Sequence, residues 1–236
     1  MPATGSVEEK AASPNSFKNA TRVQVSFVTA AEKRALAWLA ARMPAWVNSD
    51  HLTVLGFAAQ IMVGVCYALS RYSRQWLLWG VLFLVINWFG DSLDGTLARF
   101  RNRQRPRYGF YVDHVVDAIG STALMVGLAL SRYMSPIVAM GLLVAFLLLA
   151  IETYLATYTV GKFHLSFFNL GPTEIRIILA IGNVALYVRG PWAHIAGHQF
   201  LLFDVGAVVA MIGMGTMFLY AATKHTVQLY REERLS

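Results

Sequence analysis

Asp91-Ser-Leu-Asp94-Gly95-Thr-Leu-Ala98-Arg99, then nine residues, then Gly109-Phe-Tyr-Val-Asp113-His-Val-Val-Asp117: this stretch sets four aspartates between two apolar runs. The run before it, 75–90, and the run after it, 118–130, contain no charged residue. A carboxylate at mid-bilayer costs roughly 2.5–3.5 kcal/mol on insertion scales, so acids inside a membrane segment usually mark a site. Asp91 and Asp94 stand at i,i+3, and Asp113 and Asp117 at i,i+4, so each pair shares one helix face. Two helices meeting there would gather four carboxylates into one cavity. Anionic groups held so close repel unless cations neutralise them. The layout is that of a divalent-metal site that handles phosphates.

The flanking sequence supplies the membrane. Of 236 residues, 56% are hydrophobic and only 14% are charged, and the mean hydropathy is +0.49. Soluble domains carry about 25% charged residues, so the chain reads as an all-α integral membrane protein. Six transmembrane helices are expected at roughly 51–70, 75–98, 110–130, 134–157, 172–188 and 201–223, each able to cross a hydrocarbon core of about 30 Å. The fifth is the shortest and needs its polar first turn to reach the interface. With the aspartates placed on the cytoplasmic side, sixteen of the 20 Lys and Arg fall there. Arg71, Arg74, Arg132 and Arg189 fall on the other side. Positive charge concentrates on the cytoplasmic side, so both termini and the acidic site are expected in the cytoplasm.

Four regions follow: a disordered tail at 1–25, an interfacial amphipathic helix at 26–47, the six-helix catalytic domain at 48–225, and a cytoplasmic tail at 226–236. In the second region Leu36, Leu39 and Met43 recur along one face, while Glu32, Lys33, Arg34 and Arg42 lie elsewhere and Trp38 and Trp46 suit a headgroup layer. The net charge of +7 sits at membrane boundaries, where it serves topology and anionic lipid; no nucleic-acid partner is expected. Cys66 is the single cysteine, which excludes an intrachain disulfide. Residues 1–20 are polar, and no secretory signal is expected.

The full pattern, D-x2-D-G-x2-A-R-x9-G-x3-D-x3-D, resembles the signature of the CDP-alcohol phosphotransferase family, with eight residue types held over 27 positions. The middle spacer is one residue longer than in most members. Asp50-His-Leu-Thr53 resembles the (Asn/Asp)-x-Leu-Thr segment that opens the first membrane helix of relatives, with Ser49 where they usually carry Pro.

This resemblance implies phosphoryl-group transfer from a CDP-linked donor. It implies Mg²⁺ or Mn²⁺, two ions, held by Asp91, Asp94, Asp113 and Asp117 against the donor diphosphate. Gly95 and Ala98 would form the small-residue strip that accommodates the cytidine nucleotide in relatives, although such a strip also serves helix packing. Arg99 would meet the diphosphate at the cytoplasmic mouth, and Asp50, Thr53 and Gly109 would complete the donor site. Asp117 is implied as the general base that takes the proton of the attacking alcohol. A homodimer in the bacterial inner membrane is implied as well.

For the acceptor, the informative stretch runs from Glu152 to Arg176. Gly171-Pro172-Thr173-Glu174 reads as a helix start, with Pro in the first turn and Glu at the positive end of the dipole. Lys162, His164, Glu174 and Arg176 are the candidate acceptor-binding residues on the cytoplasmic side. Membrane lipids, a CDP-linked lipid and a small alcohol are the expected partners. In the preferred reading a CDP-lipid such as CDP-diacylglycerol donates a phosphatidyl group to a small polar alcohol, releasing CMP. Two alternatives stand beside it: a CDP-choline or CDP-ethanolamine type enzyme with diacylglycerol as acceptor, and a transporter whose aspartates bind cations. Transporters tend to show internal repeats and broken helices, and neither is visible here. Asp204, on the far side, reads as structural, and His194 with His198 lie in an external loop.

Overall fold

Asn48 fixes where the first long helix starts. Its side chain accepts from the His51 amide at 3.0 Å, and its own amide donates to His51 Nδ1 at 3.3 Å. This reciprocal cap satisfies two amides that a helix start leaves open. It makes the turn at Ser49 without a proline. The computed structural model describes residues 22–23, 29–160, 163–164 and 171–234. Seven helices run through them: α1 (Thr29–Arg42), α2 (Ser49–Leu69), α3 (Gln75–Phe100), α4 (Pro106–Leu130), α5 (Pro136–Thr159), α6 (Pro172–Arg189) and α7 (Leu202–Glu232). Pro106, Pro136 and Pro172 each open their helix, where a missing N–H costs nothing.

Short connections make α2 to α5 run up and down, so helix starts and ends alternate between two faces of the bundle. α2 packs against both α3 and α4, and glycine lets it do so. A Cβ on Gly90 would stand 2.5 Å from the Gly56 nitrogen and 2.6 Å from the Leu52 carbonyl oxygen. Gly127 of α4 meets Gly64 of α2 backbone to backbone in the same way. Lipid gives helices no hydrophobic reason to associate, so close backbone approach at small residues supplies the packing. The main core gathers Val63, Tyr67, Leu77, Leu84, Leu124, Leu128 and Leu186. Within it the Tyr67 hydroxyl donates to Asn183 Oδ1 at 3.0 Å, joining α2 to α6.

A second core joins α1 to the bundle: Leu36 and Ala40 pack with Val47, Leu52, Leu93 and Leu97. Leu39 and Met43 lie against the same cluster. The apolar stripe expected to face lipid is therefore spent largely on protein, while Trp38 and Trp46 are exposed. At the opposite face, Ser135 N and Ser135 Oγ donate to the Asp204 carboxylate at 2.8 and 2.5 Å. Asp204 thus ties the starts of α5 and α7 together.

Five helices, α2, α3, α4, α5 and α7, are long and apolar enough to cross a membrane. α6 is outside that set, because it carries Glu174, Arg176 and Arg189 within 18 residues. Three further expectations change. The external loop is a β-hairpin, β3 (Trp192–Ile195) with β4 (His198–Leu201), which pairs antiparallel. Its turn residues Ala196 and Gly197 both have positive φ, 51° and 82°, the twist that suits a two-residue hairpin turn. α7 continues to Glu232, through most of the stretch assigned to a C-terminal tail. Finally, Arg22–Val23, inside the expected disordered tail, forms a strand, β1, because Phe163–His164, β2, offers a parallel partner. The remaining tail residues, 1–21 and 24–25, lie outside the described residues, as do 235–236.

Candidate active site

The alternation of the helices delivers the signature to one end of the bundle. α3 ends there with Asp91, Asp94, Gly95, Ala98 and Arg99. α4 begins there with Gly109, Asp113 and Asp117. The starts of α2 and α6 add Asp50 and Thr53, and Glu174 and Arg176. Nine residues separate the two halves of the motif in sequence, and Asp117 lies within electrostatic reach of Asp91, Asp113 and Asp94. Asp94 feels Asp113 and Asp91 in turn. The four carboxylates form one charged group.

Each carboxylate has its own setting. Asp94 is buried at 8% exposure, and Thr53 Oγ1 donates to its Oδ2 at 2.7 Å. Asp91 is half-buried and pairs with Arg176, whose NH2 lies 2.6 Å from Oδ2. Arg176 also reaches Asn87 Oδ1 through Nε at 2.7 Å, while Asn87 Nδ2 donates to the Gly56 carbonyl at 2.9 Å. Asp117 is half-buried and also senses Arg176. Asp113 is exposed at the mouth. Removing all four charges from water without compensation would cost several kcal/mol per ion, and one guanidinium offsets only part of that. The donor set is entirely carboxylate oxygen, which suits a hard divalent cation. As placed, no three acidic or His side chains among the described residues converge on one point; Asp91 is turned to Arg176 and Asp94 to Thr53.

The small residues fit a ligand reading. Among the described residues a Cβ added to Gly109 would meet nothing within 4 Å. At Gly95 the nearest group to an added Cβ is the Arg99 guanidinium, 3.3 Å away at NH1. Neither position is a helix-packing contact like Gly56 with Gly90. Arg99 is exposed and donates to Thr96 Oγ1 at 3.2 Å, with Ala98 half-buried beside it.

Other predicted residues have partners of their own. Asp50 forms an ion pair with Arg105 across the mouth. Glu174 turns back on its own helix, where Oε2 accepts from the Gly171 amide at 2.9 Å. Lys162 lies outside the described residues, and His164 sits in β2, paired with Val23. Three groups escaped the sequence reading. Asn87, one turn before Asp91, was legible as the one amide in an apolar run. Arg101 donates to the carbonyls of Met43, Pro44 and Val47, fastening the linker before α2. Tyr154 of α5 lies in electrostatic reach of Asp117 and meets the His114 ring edge-on at 4.5 Å. A cavity of about 610 Å³ between α3 and α6, lined by Val81, Ile181, Val184 and Arg189, is apolar and belongs to the other end of the helices.

A phosphatidylinositol phosphate synthase of Streptomyces avermitilis is 33% identical over 84 residues, 36% of this chain and 32% of that protein. Another, from Cutibacterium acnes, is 31% identical over 90 residues, 38% of this chain and 41% of its own length. An archaetidylinositol phosphate synthase of Methanothermobacter thermautotrophicus is 25% identical over 149 residues, 61% of this chain and 70% of that protein. The chain thus spans 32% and 41% of the length of the first two relatives. Residues 46–219, from the turn before α2 into α7, match the family described as CDP-alcohol phosphatidyltransferase. With most of its length so matched and the four carboxylates of the signature gathered at one end of its bundle, the chain belongs to the CDP-alcohol phosphatidyltransferase family, a membrane-embedded family that uses divalent metal ions.

Proposed function

We propose that this protein transfers a phosphatidyl-type group from a CDP-linked lipid to the hydroxyl of a small polar alcohol and releases CMP. The observation that carries the reading is the electrostatic grouping of Asp91, Asp94, Asp113 and Asp117. In the reaction the acceptor oxygen bonds to the phosphorus that carries the lipid, and the bond from that phosphorus to CMP breaks. Asp91, Asp94, Asp113 and Asp117 would hold Mg²⁺ or Mn²⁺, two ions in all, which when bound offset negative charge on the diphosphate and the departing CMP. Asp117 receives the proton of the attacking hydroxyl. Gly95, Ala98 and Gly109 leave room for the flat nucleotide. Arg99 faces the diphosphate, with Asp50 and Thr53 completing that side.

The acceptor we assign is a phosphorylated polyol of the inositol phosphate type. The relatives' names support it, and so does Arg176. Among the described residues its NH1 is buried without a hydrogen-bond partner, on the side chain that already touches the acidic site, and a guanidinium binds phosphate bidentately. His164, Lys162 and Glu174 are the other acceptor candidates. Purified protein with CDP-diacylglycerol and Mg²⁺ or Mn²⁺ should release CMP with inositol phosphate, and much less with serine, glycerol 3-phosphate, inositol, ethanolamine or choline. Arg176→Ala should raise the acceptor KM by about tenfold or more, the value of one charge-assisted hydrogen bond, with little change in donor KM. Turnover of CDP-choline with diacylglycerol, or no CMP release from any mixture, would remove this reading.

We further propose that α6 crosses the membrane as a sixth span, with the acidic site and both termini cytoplasmic. Its polar load supports this: Arg176 is bound to Asp91 and Asn87, and Glu174 caps its own helix, so neither faces lipid unsatisfied. Membrane-impermeant thiol labelling of intact cells, in a Cys66→Ala background, should modify Ser73→Cys and Gly197→Cys but not Ser236→Cys. Outside labelling of Ser236→Cys would return α6 to one face of the membrane. The interfacial placement of α1 and a homodimeric assembly belong to the same proposal; crosslinking in native membranes that traps monomer alone would exclude the dimer.

A further inference from the structure

Glu32 lies in α1, before the region that matches the family, and it touches both helices that bear the Asp91–Arg176 pair. Its Oε1 accepts from Trp88 Nε1 of α3 at 2.8 Å and from Thr173 Oγ1 of α6 at 2.6 Å. Trp88 stands one turn before Asp91, and Thr173 one turn before Arg176. One carboxylate oxygen therefore closes a ring: Glu32 to Trp88, along α3 to Asp91, across to Arg176, and along α6 back to Thr173. β1, just before α1, pairs with β2, which lies between α5 and α6 in sequence. Among the described residues α6 packs mainly on α3, with little on α7.

We propose that Glu32 is a positioning residue that holds the first turns of α6 against α3 and so sets where Arg176 meets the acceptor. This rests on the acceptor role given to Arg176 above. Glu32 touches no reacting atom in this scheme. Its carboxylate acts by accepting two hydrogen bonds, so an amide of the same shape should serve almost as well.

Three variants of the full chain, purified in detergent, test it: Glu32→Ala, Glu32→Gln and Thr173→Val. Backbone hydrogen exchange is read over residues 172–180, and KM is read for acceptor and donor separately. Glu32→Ala should speed exchange in the first turns of α6 by about tenfold, the loss expected when a part-buried hydrogen bond goes. It should raise acceptor KM by a similar factor and leave donor KM unchanged. Glu32→Gln should restore both, and Thr173→Val should add nothing to Glu32→Ala when the two are combined. Unchanged exchange in α6 would overturn the latch. Faster exchange with an unaltered acceptor KM, or acceptor and donor KM rising together, would reduce Glu32 to a structural contact and overturn its positioning role. If wild-type protein releases no CMP with any acceptor, the proposed reaction fails instead, and the acceptor role of Glu32 fails with it, while exchange alone decides the latch.

Discussion

Excess EDTA is expected to stop CMP release completely, and Asp91→Asn, Asp94→Asn and Asp113→Asn should each do the same with metal present. The reason is electrostatic. Asp94 is buried, Asp91 and Asp117 are half-buried, and all of them sense one another. Like charges a few ångströms apart in a medium of effective dielectric near 20 repel by several kcal/mol. A diphosphate entering the same space adds further negative charge, and the single Arg176 cannot balance the sum. An asparagine keeps the shape of each side chain and can still accept from Thr53 or Arg176, so the bundle should remain folded and inserted. Loss of activity would then report loss of the ion and not of the protein. The checks are CMP release, and gel filtration of each variant in detergent to establish that it elutes like wild type. Full activity in excess EDTA would sink the metal assignment, and full activity of any one Asn variant would remove that carboxylate from it.

Much of this arrangement was legible because membrane residence makes sequence patterns blunt. Apolar runs bounded by Arg and Pro placed α2 to α5 within a few residues. Two acidic pairs at helical spacing pointed to a gathering of carboxylates, since a carboxylate inside an apolar run has few reasons to be there, and the four do lie in electrostatic reach of one another. What stayed hidden depends on partners that sequence spacing does not bring together. Arg101 sits among five arginines that all read as positive-inside charge, and only the fold shows it binding the carbonyls of 43–47. Asp50 matched a donor-site segment, yet its neighbour in space is Arg105, 55 residues away. Glu32 looked like the polar face of an amphipathic helix, and it was docking that revealed Trp88 and Thr173 at its oxygen. The hairpin at 192–201 was missed because Ala196 carries a left-handed conformation that residue type gives little reason to expect. The overlong α7 was missed because a charged helix end leaving the membrane has the same composition as a tail.

Asp117→Asn should lower turnover by about two to four orders of magnitude, the usual contribution of a positioned proton acceptor, while leaving donor KM close to wild type. The two readouts separate because Asp117 is given two tasks of unequal weight. As a ligand it is one carboxylate among four, so Asp91, Asp94 and Asp113 keep enough negative charge to retain the ion and the donor. As a base its role is unshared, for an amide oxygen has almost no affinity for the acceptor's proton. Position favours Asp117 over its partners. Asp94 is committed to Thr53 and Asp91 to Arg176, and Asp113 lies exposed at the mouth. Asp117 sits half-buried one turn deeper on α4, within reach of the Arg176 charge that is assigned to the acceptor. An acceptor phosphate on that guanidinium would bring its hydroxyl toward Asp117. The measurement is a steady-state series over donor and acceptor at fixed metal, with bound CDP-lipid quantified by filter retention. Near-normal turnover in Asp117→Asn would move the base to Asp113, and a matching rise in donor KM would show Asp117 to be chiefly a ligand.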